Sequence, residues 1–409
     1  MSLRIFSVCK VLLLLATTSL LAQDPAPTAA VPGDSLHKAK EWYQRFGIRG
    51  YAQVRYNRLG ETNPQLKCQQ CDASWGEDGG FFLRRARVII FGQVHKQVYF
   101  YIQPDFASSA GGTRNYGQIR DIYFDVGLDQ DNEFRFRIGQ SKVPFGFENL
   151  QSSQNRLPLD RNDGLNSALS NERDIGVFFY WAPKKVRERF RMLVRDGYKG
   201  SGDYGVFGFG AFNGQTANQN SQNDKLHLVA RLTYPFEIGS QIIEPSIQAY
   251  KGDYTLRPNQ ISDGVLLENK DRTFADERVA ATFVMYPRPF GIQAEYNWGR
   301  GPQFNPHTGT IETSSLEGGY VTLNYRMEIK DQLLYPFTRY HYYDGGKKHE
   351  LDARSHKVNE LEIGAEWLPF PNFELVAMYT VASRRFEDYQ LPINHQRGGL
   401  IRIQAQMNF

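Results

Sequence analysis

Apolar and polar residues alternate one for one through Leu400-Ile401-Arg402-Ile403-Gln404-Ala405-Gln406-Met407-Asn408-Phe409. In an extended strand this puts Ile401, Ile403, Ala405, Met407 and Phe409 on one face and Arg402, Gln404, Gln406 and Asn408 on the other. One face suits lipid and the other water, although a soluble sheet packed on a core would show the same alternation. The pattern recurs elsewhere. Phe134, Phe136 and Ile138 alternate with Arg135, Arg137 and Gly139, and Leu226, Leu228, Ala230, Leu232 and Tyr234 alternate with Lys225, His227, Val229, Arg231 and Thr233. An arginine turned toward lipid would cost about 2–4 kcal/mol at the bilayer midplane, so the charged faces are expected to line a wet interior.

The alternation predicts strands near 44–57, 81–95, 97–107, 117–128, 132–142, 174–182, 204–213, 225–236, 240–251, 275–286, 290–299, 316–328, 332–343, 357–368, 372–382 and 398–409. Their number, about sixteen, is even, as single-chain bacterial barrels require. The predicted fold is all-β: a transmembrane antiparallel β-barrel with a long, inward-folding third extracellular loop. Links at 237–239, 287–289, 329–331 and 369–371 are short, whereas 252–274, 300–315, 344–356 and 383–397 are long and polar. Short turns are expected in the periplasm with both termini, and long loops outside. The segment 183–203, rich in Lys184, Lys185, Arg187 and Arg189, interrupts this scheme. It reads as an enlarged periplasmic turn, or as an extra strand pair through Phe190–Arg195 that would raise the count to eighteen. Trp181, Trp298, Trp367, Tyr234, Tyr286 and Phe370 fall near predicted strand ends, where interfacial aromatic girdles form.

The leading residues add a destination. Arg4 and Lys10, the apolar run Val11–Leu15 and then Ala22 read as a cleaved signal peptide, 1–22. A Pro- and Ala-rich periplasmic leader over 23–43 follows, with Ser35 placed to cap a short helix through Phe46. Removing the signal takes away two positive charges and no negative ones, so the formal charge falls from +4 to +2, too small to imply nucleic acid. Past Ala22 no apolar stretch approaches the ~20 residues of a spanning helix, so insertion requires a closed barrel. Cys68 and Cys71 read as a loop-closing disulfide or, less simply, half of a metal site for which no second half occurs.

Candidate chemistry concentrates in arginine. Arg49, Arg55, Arg85, Arg87, Arg135 and Arg137 are assigned inward in the first five strands, beside Asp105, Asp121, Asp125 and Glu133. In Phe82-Leu83-Arg84-Arg85-Ala86-Arg87-Val88, Arg85 and Arg87 share a face and Arg84 leans toward the extracellular rim. Guanidinium keeps its charge at any relevant pH and offers a planar fork to phosphate or carboxylate. A file of moderately strong sites can pass an anion along. Alternatively these arginines pair with Asp121 and Asp125, or meet lipopolysaccharide near the rim. Later strands place Glu295, Glu360, Glu362, Glu366 and Glu374 inward beside Arg231, Arg278, Arg326, Arg339 and Arg402. The longest connection, Val143–Arg173, suits a loop folded into the pore, its Arg156, Arg161 and Arg173 nearly balanced by Asp160, Asp163, Glu172 and Asp174.

Five blocks now carry a resemblance: Gly47-Ile48-Arg49-Gly50-Tyr51, Phe82-Leu83-Arg84-Arg85-Ala86-Arg87, Asp121-Ile122-Tyr123-Phe124, Gly139-Gln140-Ser141-Lys142-Val143-Pro144-Phe145-Gly146 and Glu172-Arg173-Asp174-Ile175-Gly176. In this order they resemble the phosphate-selective porin O and P family. The resemblance implies a trimeric sixteen-stranded barrel in outer-membrane lipid and lipopolysaccharide, passing small anions such as phosphate. It also makes Arg84, Arg85, Arg87 and Arg55 counterparts of part of an arginine ladder. The full anion-binding set expected is Arg55, Arg84, Arg85, Arg87, Arg135 and Arg137. No catalytic residue, cofactor or metal is expected. The glutamates of the fourteenth strand and the nearly neutral loop depart from a strongly cationic lumen.

Rival readings remain a general, weakly selective porin, and an enzyme or adhesin mounted on a barrel. The eight histidines are scattered, no Gly-x-Ser-x-Gly or His-Glu-x-x-His occurs, and no large appended domain interrupts the loops. His341, His349 and His356 read as lying near one solvated extracellular loop, with metal binding there the alternative.

Overall fold

A computed structural model describes residues 45–59, 79–110 and 113–409. Strands follow one another around a closed antiparallel sheet: β1 Phe46–Leu59, β2 Gly80–His95, β3 Val98–Ala110, β4 Thr113–Gly127, β5 Phe134–Lys142, β6 Arg173–Trp181, β7 Phe207–Phe212 and β8 His227–Thr233. They continue as β9 Gln241–Thr255, β10 Thr273–Met285, β11 Phe290–Asn305, β12 Thr310–Tyr325, β13 Gln332–Gly346, β14 Ser355–Phe370, β15 Phe373–Glu387 and β16 His395–Asn408. Short pieces Phe236–Ile238 and Met327–Ile329 extend β8 and β12 past a break. The barrel closes where β1 pairs with β16, Tyr51 opposite Asn408 and Arg58 opposite Ile401. Every strand edge is thereby consumed, the condition for crossing a bilayer with strands. None of the described helices is long and apolar enough to cross.

The alternating faces go where the pattern predicts. Ile401, Ile403, Met407 and Phe409 are exposed on the outside, whereas Arg402, Gln404 and Gln406 are buried inside. Trp298, Trp367, Tyr234 and Phe370 are exposed, but Tyr286 is 1% exposed and belongs to the interior. Its even parity with Thr282 and Val284 in β10 decides this, and its hydroxyl donates to Glu244 at 2.5 Å.

Three departures from expectation have local causes. The segment 183–203 is an enlarged connection and not a strand pair, and the element inside it is one the sequence reading lacked: helix α3, Lys184–Arg195, with Val186, Phe190 and Leu193 buried. That spacing is helical, and it packs Val186 and Phe190 against Ala182 and Val206, and Leu193 against Ile242, Val284 and Tyr286. The barrel therefore has sixteen strands. The expected long loop 300–315 is mostly a paired hairpin, since β11 and β12 stay in register from Phe290–Tyr325 to Asn305–Thr310. Phe46 opens β1 rather than ending a helix. The signal, the leader and the Cys68 and Cys71 pairing lie outside the described residues.

The connection after β5 is packed against the interior of the barrel. Its Val143, Phe145, Leu165, Ala168 and Leu169 bury with Phe178, Tyr180, Phe212, Val229, Tyr250 and Ala280, while Leu157 and Leu159 bury with Tyr335, Phe337, Val376 and Met378 on other strands. Two short helices shape it, α1 Phe147–Leu150 and α2 Asp163–Ala168, the second capped by the Asn162 side chain accepting from the Leu165 amide at 3.1 Å. Gly146 adopts φ 80, and a Cβ there would meet the Leu165 side chain at 2.2 Å, so only glycine fits this bend.

Candidate functional site

The inward face of β1 and β2 supplies Arg55, Arg84, Arg85 and Arg87 as one group, and the loop supplies the counter-charge of Arg55 and Arg84. Arg55 Nη1 lies 3.2 Å from Asp160, Arg84 Nη2 3.4 Å and Arg402 Nη1 2.5 Å. Burial alone would raise the Asp160 carboxyl, but Arg55, Arg402 and Arg84 outweigh it and hold that group well below the usual carboxylate range. From Arg402 the chain of pairs continues through Glu362 at 2.9 Å to Arg339 at 2.6 Å, and from Arg339 to the loop's Glu148 at 2.7 Å. A second loop acid, Glu172, faces Arg161 at 3.1 Å, Arg156 at 3.4 Å, Lys142 at 3.5 Å and Arg173 at 2.5 Å. Burial pushes its carboxyl up, and Lys142, Arg161 and Arg173 pull it well below its ordinary value.

A β-bulge explains how Arg84 joins this interior. Gln53 pairs with Arg85 but Val54 pairs with Leu83, leaving Arg84 the extra residue. Leu83 therefore points out and Arg85 in, although they are two residues apart, and Arg84 reaches Asp160 instead of the rim. The same device operates in β4, where Gln103 pairs with Asp121 but Pro104 with Ile119. Both Arg120 and Asp121 are buried, and Arg120 donates to the Asn171 side chain and backbone at 3.2 Å. Period-two reasoning missed Arg120 for this reason. It missed Arg384, paired with Asp163 at 3.1 Å and Glu360 at 2.5 Å, because β15 runs past the predicted end at 382.

The six expected arginines all meet the interior, in two groups. Arg87 pairs with Asp105 at 2.7 Å, Arg135 with Asp203 at 2.7 Å and Arg137 with Asp125 at 2.7 Å, beside the Asp160 pairs of Arg55 and Arg84. Arg85 differs. It is 6% exposed, its Nη1 donates to Gln53 Oε1 at 2.7 Å, its Nε is without a hydrogen-bond partner, and it has no carboxylate partner among the described residues. Arg135 and Arg137 line a separate cavity of about 550 Å3 between the loop and the β3–β5 wall. Two residues assigned inward leave the wall: Glu133 accepts from the Lys184 amide at 2.6 Å in a turn, and Arg326 donates to the Tyr335 hydroxyl at 3.2 Å while pairing with Glu328.

The three histidines near the long loops are not one solvated group. His341 lies inside on β13, 3.2 Å from Asp163 and 3.4 Å from Glu360, and His356 bonds Glu350 at 2.9 Å. His349 packs edge-on to Tyr254. The ligand atoms of Asp163, His341 and Glu360 gather within 4.8 Å, yet Lys347 and Arg384 already engage these carboxylates, so the cluster is a salt-bridge network.

A closed sixteen-stranded antiparallel cylinder, apolar outside and charged inside, is an outer-membrane porin. The chain belongs to the phosphate-selective porin O and P family, whose model matches residues 62–409. It is similar in fold to the outer membrane channel DcaP of Acinetobacter baumannii, with 14% identity, 89% of this chain and 97% of that one covered, and a TM-score of 0.56. Salmonella typhi OmpF in a complex with daunomycin gives 13%, 89%, 97% and 0.56. An anion-selective porin from Comamonas acidovorans gives 11%, 89%, 99% and 0.50. No curated protein matches the chain.

Proposed function

We propose that this porin passes small anions, phosphate foremost, by passive diffusion, and that Arg85 is the residue at which a passing anion is held. The observation that carries this is the contrast between Arg85, a buried guanidinium without a carboxylate, and its five companions, each of which has one. A buried charge without compensation is costly, and a transient anion supplies what Asp160 and Asp105 supply to its neighbours. The family's description and the anion-selective Comamonas porin support the same reading. In this reading the termini and α3 face the periplasm, three copies assemble in lipid and lipopolysaccharide, and the loop 143–172 sets the constriction.

A specific observation favours a second reading. Five of the six arginines are paired with a carboxylate within the structure, which suits a general porin of weak selectivity. Reversal potentials across a KCl gradient in planar bilayers separate the two. Anion preference with chloride current reduced by added phosphate is the expected result; cation preference indifferent to phosphate overturns the proposal.

A further inference from the structure

The cavity on the β3–β5 wall has a composition that inorganic phosphate does not call for. Its volume, about 550 Å3, falls among pockets for small organic molecules, ~300–1,000 Å3, rather than those of a bare ion. Tyr99, Tyr101 and Tyr123 line one side, and Tyr204 joins them from the segment after α3. Tyr101 and Tyr123 stack with centroids 5.0 Å apart and 16° between ring planes. All four residues are partly exposed, although a polar pore wall has no need of aromatic surface.

Cationic groups share this wall. Arg137 sits over the Tyr123 ring at 4.0 Å and is neutralised by Asp125. Arg135, 3% exposed, reaches Asp203 through Nη2, while its buried Nη1 has no hydrogen-bond partner. Arg49 and Arg191 also line the cavity, are exposed, and have no carboxylate partner among the described residues.

We propose that this cavity is a binding subsite for organic anions that carry a flat ring, aryl phosphates and aromatic carboxylates among them. The ring lies against the tyrosine faces, and the anionic group meets Arg135, Arg49 and Arg191. A neutral ring leaves the guanidinium donors without a partner, and inorganic phosphate leaves the aromatic surface unused. The proposal rests on the anion-channel reading and names a solute class for it.

Full-length protein in planar bilayers tests it, with phenyl phosphate, inorganic phosphate and phenol as probes of chloride current. Phenyl phosphate is expected to block at a concentration about tenfold below inorganic phosphate, with phenol inert, since one well-placed aromatic contact is worth about that factor. Tyr101→Leu with Tyr123→Leu removes the advantage and leaves block by inorganic phosphate unchanged. Arg191→Gln, at an exposed position on α3, weakens phenyl phosphate alone and guards against a misfolded tyrosine variant. Equal potency of the two phosphates, or equal loss of both in the tyrosine variant, overturns the subsite. If Arg85→Gln leaves inorganic phosphate block intact while the tyrosine effect stands, the assignment of Arg85 fails and the subsite survives.

Discussion

Asp160 and Arg402 stand 242 residues apart in the chain, and their Oδ2 and Nη1 atoms are 2.5 Å apart. The pair ties the loop after β5 to the strand that closes the barrel. Asp160 also holds Arg55 and Arg84, so a single carboxylate sets both where the loop rests and how much positive charge the adjoining wall shows.

Asp160→Asn should therefore move two observables together. Removing one partner from a buried ion-pair cluster costs about 3–5 kcal/mol, here drawn from loop docking. Hydrogen exchange across 147–172 is expected to accelerate, and anion preference to rise as Arg55, Arg84 and Arg402 lose a counter-charge. Unchanged exchange would show that the apolar contacts of Leu157 and Leu159 alone hold the segment.

Arg85→Gln is expected to lower anion permeability by about fivefold, the factor for one unit charge ~4 Å from a permeating anion in a water-like dielectric. Arg87→Gln also removes one positive charge and leaves Asp105 without its cation, so it should lower anion preference in the same direction, whereas block of chloride current by phosphate is weakened by Arg85→Gln alone. Reversal potentials measure the first effect and phosphate block the second, and equal loss of block in the two variants would remove the distinction between paired and unpaired arginines.

Loop docking should weaken in acid. Asp160, Asp163 and Glu172 are held well below the carboxylate range by their cations despite burial. A depressed carboxyl contributes stability that is fully present above its unfolded value, about 3.9–4.3, and is lost as pH falls toward the folded one. Exchange protection of 147–172, corrected for intrinsic rates, is expected to stay flat from pH 8 to about 5 and to fall below about 4. Protection lost already near neutrality would contradict these assignments.

Ile403 is 45% exposed on the outer face of β16. Ile403→Arg should cost about 2–4 kcal/mol in vesicles if this face meets the bilayer near its midplane. Urea unfolding in lipid measures it, and a neutral effect would place the residue away from the hydrocarbon.

Strand positions and faces were legible because one physical rule, apolar out and polar in, governs nearly every strand. The rule failed where the backbone inserts a residue, as at Arg84 and Arg120, since a bulge shifts parity without any mark in composition. It also failed where the loop creates an apolar interior: Phe178, Tyr180, Phe337 and Met378 face inward because Val143, Phe145, Leu157 and Leu159 cover them. Helix α3 was readable, since Val186, Phe190 and Leu193 keep helical spacing, but its arginines drew attention to charge instead of period. Which arginines are neutralised was not legible, because their partners Asp160 and Asp203 come from distant connections.

The seam between β1 and β16 carries Arg402 opposite Asn57, two residues beyond the Arg55–Gln404 pair. Zipping that edge shut thus delivers the anchor for the inward-packed segment in the same event. Cylinder and strap mature together, and deleting residues 400–409 would leave an unsealed sheet whose inner strap had also lost its mooring.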